Sequence, residues 1–505
     1  MGPRLSRLIL SAVPAEVIER GQRWQALRTF HEAARRVPAY RQLLREHGVV
    51  PRRILTPEAF RRQVPIIDKA SYFKRFSLEQ LCRGGSFAGK YTLERSSGYS
   101  GQPHYWLREA AEDRQLRDHT HHLFRDMFQA HRRTTLMVVT WSQGTWVTGE
   151  KFARTLRNLG ASGALKVTVV SPGIHLEETL EILSSFIGRF EQIVLAGYPP
   201  ALKDIVDQGQ RQGIDWPKYR VHLLSGGEGF PESWRDYMAS MLGIKKINSA
   251  EGPHIISCYG SADSGIGCGG EAPFPLILRR LCTGDRRLCA DLFDGQVYPP
   301  SVFQYDPTRL QVESVEGELV LTVRNAMPLV RYNIHDRGQH LPLKTAIRVL
   351  KDHGYDPIEL LNDLGWSKSM LYPLPLFYVF GRSDGVATIY GVNIYTESVY
   401  EALLHHELVG LHTGEFGLHT VYDECAEQML RLQVRLKPGE PQDPVIARRF
   451  EQRLLAQLRQ SNSEYRHLYE VKGTRVAPQV EFTYQPIHAN GIKRRYCQAV
   501  PVNQE

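Results

Sequence analysis

The sequence predicts an α/β protein, with a large N-terminal domain of parallel sheets flanked by helices and a small α+β C-terminal domain. Three observations carry that prediction. Between Thr134 and Leu242, short runs rich in β-branched residues alternate with amphipathic helical segments, the pattern of adjacent parallel strands joined by helices. Beyond Gly381 the text changes to shorter strands and one long helix. The length of 505 residues also exceeds the ~100–200 of a usual domain, so more than one packed unit is needed.

The elements follow in order. Residues 1–90 read as a basic helical part, with helix formers over Glu16–Arg36 and Tyr40–His47 punctuated by Pro38, Pro51 and Pro57. Thr135–Trp141 and Leu165–Ser171, bounded by Gly, Ser and Pro, read as buried strands. Leu176, Leu180, Leu183 and Ile187 share one helix face. Gln192–Ala196 and Arg220–Leu224 read as strands, Pro200–Gln210 and Glu232–Leu242 as helices, and Glu318–Val323 and Pro328–Asn333 as strands again. Residues 344–375 carry three prolines and no clean period, and read as an insertion in a large domain spanning 1–380. Phe377–Gly381 then leads into a small domain, 381–505. Its expected parts are a strand pair over Val386–Ile394, a helix over Thr396–His405, a strand within Glu424–Leu436, a helix over Pro444–Gln460 and a turn-rich basic tail.

Composition excludes several classes. At 42% hydrophobic and 23% charged the chain is neither disordered nor collagen-like, and no apolar run approaches the ~18 residues of a membrane span. Pro14 and a helical segment follow the short apolar patch Leu8–Val13, unlike a secretory leader. Seven scattered cysteines suit a reducing compartment, so a cytoplasmic location is expected. His254, Cys258, Cys268, Cys282 and Cys289 cluster in sequence, but without the C-x2-C knuckle of a structural Zn²⁺ site; buried free thiols are the favoured reading over zinc. The net charge is +9, and residues 1–62 alone hold thirteen Arg, no Lys and five Glu, a surplus of +8. Such an arm is either a solvated helix face or a holder of phosphates, an acidic carrier protein or an anionic membrane surface. No nucleic-acid motif accompanies it, and nucleic acid is not the expected partner.

Six segments have residue types suited to chemistry. Ser96-Ser97-Gly98-Tyr99-Ser100-Gly101-Gln102-Pro103 offers free amides and hydroxyls to an anion, although it lacks the Walker spacing. Ser225-Gly226-Gly227-Glu228 follows an expected strand, where open α/β sheets bind ligands. Cys258-Tyr259-Gly260-Ser261-Ala262-Asp263, read as a loop, combines an aromatic surface with a carboxylate able to hold Mg²⁺. Gly265, Gly267 and Gly270 match a dinucleotide fingerprint, but Pro273 and Pro275 stand where its helix should begin, so it is rejected. Arg331–Asp336 ends in a carboxylate able to bond both ribose hydroxyls. Gly381-Arg382-Ser383-Asp384-Gly385 and Asn490-Gly491-Ile492-Lys493-Arg494-Arg495 complete the set.

In this order, the six segments resemble the adenylate-forming superfamily of acyl- and aryl-CoA synthetases, peptide-synthetase adenylation domains and luciferase. Arg36–Tyr40, Gln63-Val-Pro-Ile-Ile-Asp-Lys69, Ser225–Glu228 and Gly391–Tyr395 look most like its phenylacetate–CoA ligase branch. The resemblance implies that a carboxylate attacks the α-phosphorus of ATP, and that a thiol, normally that of coenzyme A, then displaces AMP. It implies that Ser96, Ser97, Gly98, Ser100 and Gly101 hold phosphates, that the Ser225–Glu228 turn, with Gly226, Gly227 and Glu228, and Tyr259 frame the adenine, and that Gly260 and Ser261 belong to the ATP site. Asp336 would bind ribose, Asp263 would ligate Mg²⁺, Arg382 would join the nucleotide site, and Lys493 would bridge the acid and the α-phosphate. Asp384 would lie at the hinge of a mobile small domain.

Three departures from the superfamily pattern stand out. The loop has Tyr99 for a usual Thr or Ser and Gln102 for a usual Lys, Asp263 replaces a usual Glu, and Gly385 stands where the second acid of a usual Asp-Asp pair would be. The expected function is thus ATP-dependent activation of a small carboxylic acid, with an aromatic one favoured by the branch resemblance, and transfer to coenzyme A. The alternatives are an amine or carrier-protein acceptor, or a non-catalytic nucleotide- or acyl-binding homologue.

Overall fold

A strand covered on both faces reads as a near-continuous apolar run, and the central strands here do so apart from the buried Thr135, Gln192, His222 and Ser225. The computed structural model describes residues 13–96, 104–144, 147–296, 299–382, 386–423, 426–485 and 487. The chain divides into two compact units, the first comprising Met1–Arg95 and Tyr105–Phe380 and the second Ser96–His104 and Gly381–Glu505.

In the first unit, β1 (Thr92–Ser96) and β2 (His104–Arg108) pair with each other. Next come β3 (Thr135–Val139), β4 (Val167–Val170), β5 (Gln192–Gly197), β6 (Val221–Gly226) and β7 (Ile255–Ser261). Helices Val147–Ala161, Leu176–Phe186, Pro199–Arg211 and Glu232–Met241 connect them in turn. They lie side by side as β4-β3-β5-β6-β7, every neighbouring pair parallel. β3, β5 and β6 are buried at every position. The chain steps outward from β3 to β4 and then returns to the other side of β3, so the order reverses between β3 and β5. At such a point the loops leaving the strands' carboxyl ends diverge and open a crevice.

The sheet does not stop at its parallel half. β8 (Gly265–Gly270), β9 (Ser301–Tyr305), β10 (Leu310–Val315), β11 (Glu318–Val323), β12 (Leu329–Leu341) and β13 (Leu376–Arg382) extend it to eleven strands, in the order β10-β11-β12-β13-β9-β8-β7-β6-β5-β3-β4. The pairs β7–β8, β8–β9, β9–β13, β10–β11 and β11–β12 are antiparallel. The expected α/β arrangement of parallel strands flanked by helices holds for β3 to β7, and the same sheet continues into an antiparallel half. In this second half β7–β8, β9–β10, β10–β11 and β11–β12 are joined by short returns, whereas helices Pro273–Gly284 and Arg286–Leu292 separate β8 from β9 and helices Leu343–Asp352 and Pro357–Asp363 separate β12 from β13.

Three further expectations change. Residues 344–375 form helices Leu343–Asp352 and Pro357–Asp363, with Leu350, Leu361 and Trp366 buried. Pro357 does not break this segment: it is the first helical residue, where its missing N–H costs nothing, and Asp356 caps the end. Cys258–Ser261 is strand rather than loop, and only residues 262–264 turn. A helix does begin at Pro273, contrary to the ground on which the glycine fingerprint is rejected. That fingerprint fails for another reason: its glycines are themselves a strand, β8, and not a phosphate turn.

From Gly381 the second unit continues with the hairpin of β14 (Val386–Ile389) and β15 (Val392–Tyr395). Its two-residue turn, Tyr390–Gly391, has positive φ at both positions, as a primed hairpin turn requires. Helix Thr396–Leu403 follows, then β16 (His412–Tyr422) and β17 (Gln428–Leu436), which pair antiparallel, and β18 (Gln479–Thr483), parallel to β17. β17 buries alternate residues, and helix Pro444–Ser461 buries Phe450, Leu454 and Leu458 at helical spacing. The supposed turn-rich tail contains a further helix, Ser463–Lys472, capped by the Asn462 side chain, and then β18.

Candidate active site

The carboxyl ends of β6 and β7 supply the first wall. β6 ends in Gly226, where a Cβ would stand 2.8 Å from the Cys258 sulfur, and Gly227 has φ +94° with the Tyr198 ring 2.6 Å from where its Cβ would be. Two side-chain-free positions are thus required for the chain to leave the sheet here. The Trp141 indole N–H donates to the Gly226 carbonyl at 3.3 Å. Ser225 is buried in the strand, and Glu228 stands just past the turn.

Side-chain chemistry supplies the second wall. The Tyr259 hydroxyl, at the end of β7, donates to Asp336 Oδ2 on β12 at 2.5 Å. The Tyr259 ring is held between Phe303 and Phe377, at centroid distances of 5.6 and 5.0 Å. Gly260 and Ser261 complete β7, and Ser261 Oγ accepts the Ser264 N–H at 3.0 Å, closing the turn that carries Asp263. Asp263 is only 8% exposed. Its Oδ2 accepts from the Tyr332 hydroxyl at 2.5 Å, and its Oδ1 lies 3.5 Å from Lys69 Nζ. Two predicted acids, Asp263 and Asp336, are thus brought to one region by β7 and β12, each bonded by a tyrosine of the other strand.

Lys69 arrives by a tertiary route. The Ile67 N–H donates to the Arg331 carbonyl at 3.0 Å, and the Asn333 N–H donates to the Ile67 carbonyl at 2.7 Å. This bridge lays residues 64–69 along β12. Arg331 secures it by donating to the Val64 carbonyl at 2.6 Å while pairing with Glu313. Asp68 then faces His335, with Oδ2 3.4 Å from Nε2. Sequence reasoning missed Lys69, Tyr332 and Arg108 as site residues. The signal was present for two of them, since Lys69 closes the quoted Gln63–Lys69 stretch and Tyr332 lies inside the Arg331–Asp336 segment.

An ionic clamp ties β1 to β2. Glu94 on β1 bonds Arg108 on β2 at 2.6 Å and Lys151 at 2.8 Å, all three buried. Burial alone would raise the Glu94 carboxyl; Arg108 and then Lys151 outweigh it and hold it below its ordinary value. Arg108 also donates to the Ala262 carbonyl, tying the clamp to the Asp263 turn. Ser96 ends β1. Ser97, Gly98, Ser100 and Gly101, with Tyr99 and Gln102, lie outside the described residues, as do Asp384 and Lys493. Arg382 is the last residue of β13 and half-buried.

Among the described residues, no three of His254, Cys258, Cys268, Cys282 and Cys289 bring donor atoms within reach of one ion. His254 stacks on Trp366 at 5.4 Å and is pushed down to about 3 by burial. Cys258 is pushed up to about 12 by burial, and Cys282 and Cys289 sit in an apolar cluster. Among the described residues, the donors grouped within reach of one ion are His405, His406 and Glu407, and Glu407 is already bound by Arg453 at 2.7 Å. For Mg²⁺ the fit is better: Asp263 is a hard oxygen donor, held in place by Tyr332 and bearing a cation, Lys69, at the position a metal would neutralise.

No protein-family model matches the chain, and no curated protein matches it. Solved structures do. 2-Hydroxyisobutyryl-CoA ligase in complex with 2-HIB-AMP and CoA, in its thioesterification state, is similar over 96% of this chain and 90% of that one, with a TM-score of 0.62 at 14% identity. An open conformation of the same ligase with the same ligands is similar over 97% and 93%, with a TM-score of 0.51 at 14% identity. No described helix is long and apolar enough to cross a membrane.

Proposed function

Because the chain has the fold of the adenylate-forming acyl-CoA ligases, we propose that it activates a carboxylic acid with ATP, forming an acyl- or aryl-adenylate and pyrophosphate, and passes the acyl group to coenzyme A. The observation that carries the proposal is the paired-acid arrangement: Tyr259 bonded to Asp336 and Tyr332 bonded to Asp263, beside the glycine turn that ends β6.

In this reading the Gly226–Gly227 turn gives a planar base close access to backbone, and the Tyr259 ring, fixed by Phe303 and Phe377, lies against it. Asp336, oriented by the Tyr259 hydroxyl, accepts from the ribose hydroxyls. Asp263 and Lys69 face the phosphates; Asp263 would hold Mg²⁺, which supplies charge neutralisation to the departing pyrophosphate. Ser97, Gly98, Ser100 and Gly101 give amide and hydroxyl donors to the same group. Lys493 places a cation between the acid's carboxylate and the α-phosphate, where negative charge develops. The phenylacetate–CoA ligase resemblance favours an aromatic acid.

The test is a screen of carboxylic acids for pyrophosphate release with ATP and Mg²⁺, followed by addition of coenzyme A. At least one acid should support release, and coenzyme A should accelerate it. A second reading, a nucleotide-binding protein without turnover, is favoured by Lys69 already standing on Asp263 and by Tyr99 and Gln102 in the phosphate loop. It predicts ATP binding with no release for any acid.

A further inference from the structure

Helix Ala15–Arg36 buries Ile18, Gln22, Ala26, Phe30 and Ala33 on one face. Arg20, Trp24, Arg28 and Arg35, spaced by four, four and seven residues, form a stripe on its other face. Trp24 is 52% exposed. His31, between Arg28 and Arg35, donates from Nε2 to the Ile54 carbonyl at 2.9 Å, which seats the 51–56 segment against the stripe. Arg52, Arg53 and Leu55 flank that contact, and Leu55 is 65% exposed. One face therefore presents five exposed arginines interleaved with two exposed apolar tips.

Much of the local acid is committed elsewhere. Glu32 pairs with Arg83 and Arg324, Glu46 with Arg75, and Glu16 with Lys344. A merely solvated basic face needs no protruding Trp and Leu among its arginines, and a phosphodiester backbone offers Leu55 nothing apolar to bury against. A bilayer surface offers both: anionic headgroups for the guanidinium groups, and an interfacial zone that takes Trp and Leu.

We propose that this face docks the protein peripherally on an anionic lipid surface. The surface is independent of the active site. Each basic residue near such a leaflet contributes roughly fivefold in partitioning, with attraction lost as salt rises.

The test is co-sedimentation of the full chain with vesicles. Partitioning onto phosphatidylcholine vesicles containing phosphatidylserine should exceed that onto pure phosphatidylcholine by roughly a thousandfold or more, and should collapse at high salt. The combined variant Arg28→Gln, Arg35→Gln, Arg52→Gln, Arg53→Gln, which leaves Arg20, should reduce the difference to about fivefold. Trp24→Ser with Leu55→Ser should weaken binding about tenfold yet keep its salt dependence. All six positions are exposed, so far-UV circular dichroism should be unchanged. Equal partitioning on the two vesicle types, or wild-type binding by the arginine variant, would overturn the proposal. So would tighter retention on duplex DNA or on polyglutamate than on anionic vesicles, which would assign the face to a nucleic acid or to an acidic protein.

Discussion

The turn at the end of β6 and the corner between β7 and β12 face related tasks with opposite means. The first is shaped by missing side chains: Gly226 and Gly227 let backbone pass within van der Waals reach of Cys258 and Tyr198. The second is built from side chains, two tyrosines and two carboxylates held across strands distant in sequence. A shape can be specified by a few consecutive residues. Chemistry assembled across a sheet needs the whole topology in place, so variants in the two regions should fail differently.

The largest effect belongs to the chemistry. Lys493→Ala should lower the adenylation rate by about 3–4 kcal/mol of barrier, some hundredfold or more, with unchanged denaturation; a variant as fast as wild type would remove that lysine from the reaction. Next, Gly227→Ala should cost about 2–4 kcal/mol of stability in denaturant titration, because a positive φ and the Tyr198 ring both oppose a Cβ. Asp336→Asn should weaken ATP binding by about 1.5–3 kcal/mol in calorimetry while leaving the denaturation midpoint near wild type. If Asp336→Asn unfolded the protein and Gly227→Ala merely weakened ATP binding, the contrast between the two regions would be reversed.

A pH effect probes the parallel half alone. His254 is wholly buried and its folded pKa is about 3, against an ordinary 6.5. Its neutral form is compatible with the fold and its charged form is not, so the unfolded state binds the extra proton. Stability is therefore full above pH 6.5 and falls as the pH drops toward 3, by about 2 kcal/mol at pH 5 from this residue. His254→Phe should flatten that part of the pH–stability curve and leave ATP affinity alone. The smallest expected change is at Lys69, 27% exposed by side chain and 3.5 Å from Asp263. Lys69→Gln should lower the Mg²⁺ concentration for half-maximal activity a few-fold, since a partly exposed ion pair is worth about 1 kcal/mol or less.

The same division explains what the sequence reveals. The alternation from Thr135 to Met241 is legible because each buried strand and each amphipathic helix announces itself within ten residues, and the Ser225–Glu228 turn is legible as the punctuation between them. The antiparallel half is less so. β8 is a strand made largely of glycine, with no side-chain alternation to mark it, and β18 and helix Ser463–Lys472 hide in a stretch whose charges resemble a tail. Lys69 lies 194 positions before Asp263, and contacts of residues 64–68 with β12, the Ile67–Tyr332 bridge among them, make the two neighbours. No local pattern carries that information.

The most direct measurement is acid-dependent exchange of labelled pyrophosphate into ATP, without coenzyme A, by wild type and Lys493→Ala side by side. The account predicts exchange by the wild-type protein with at least one carboxylic acid and a loss of a hundredfold or more in the variant. ATP binding by wild type with no exchange for any acid would contradict it.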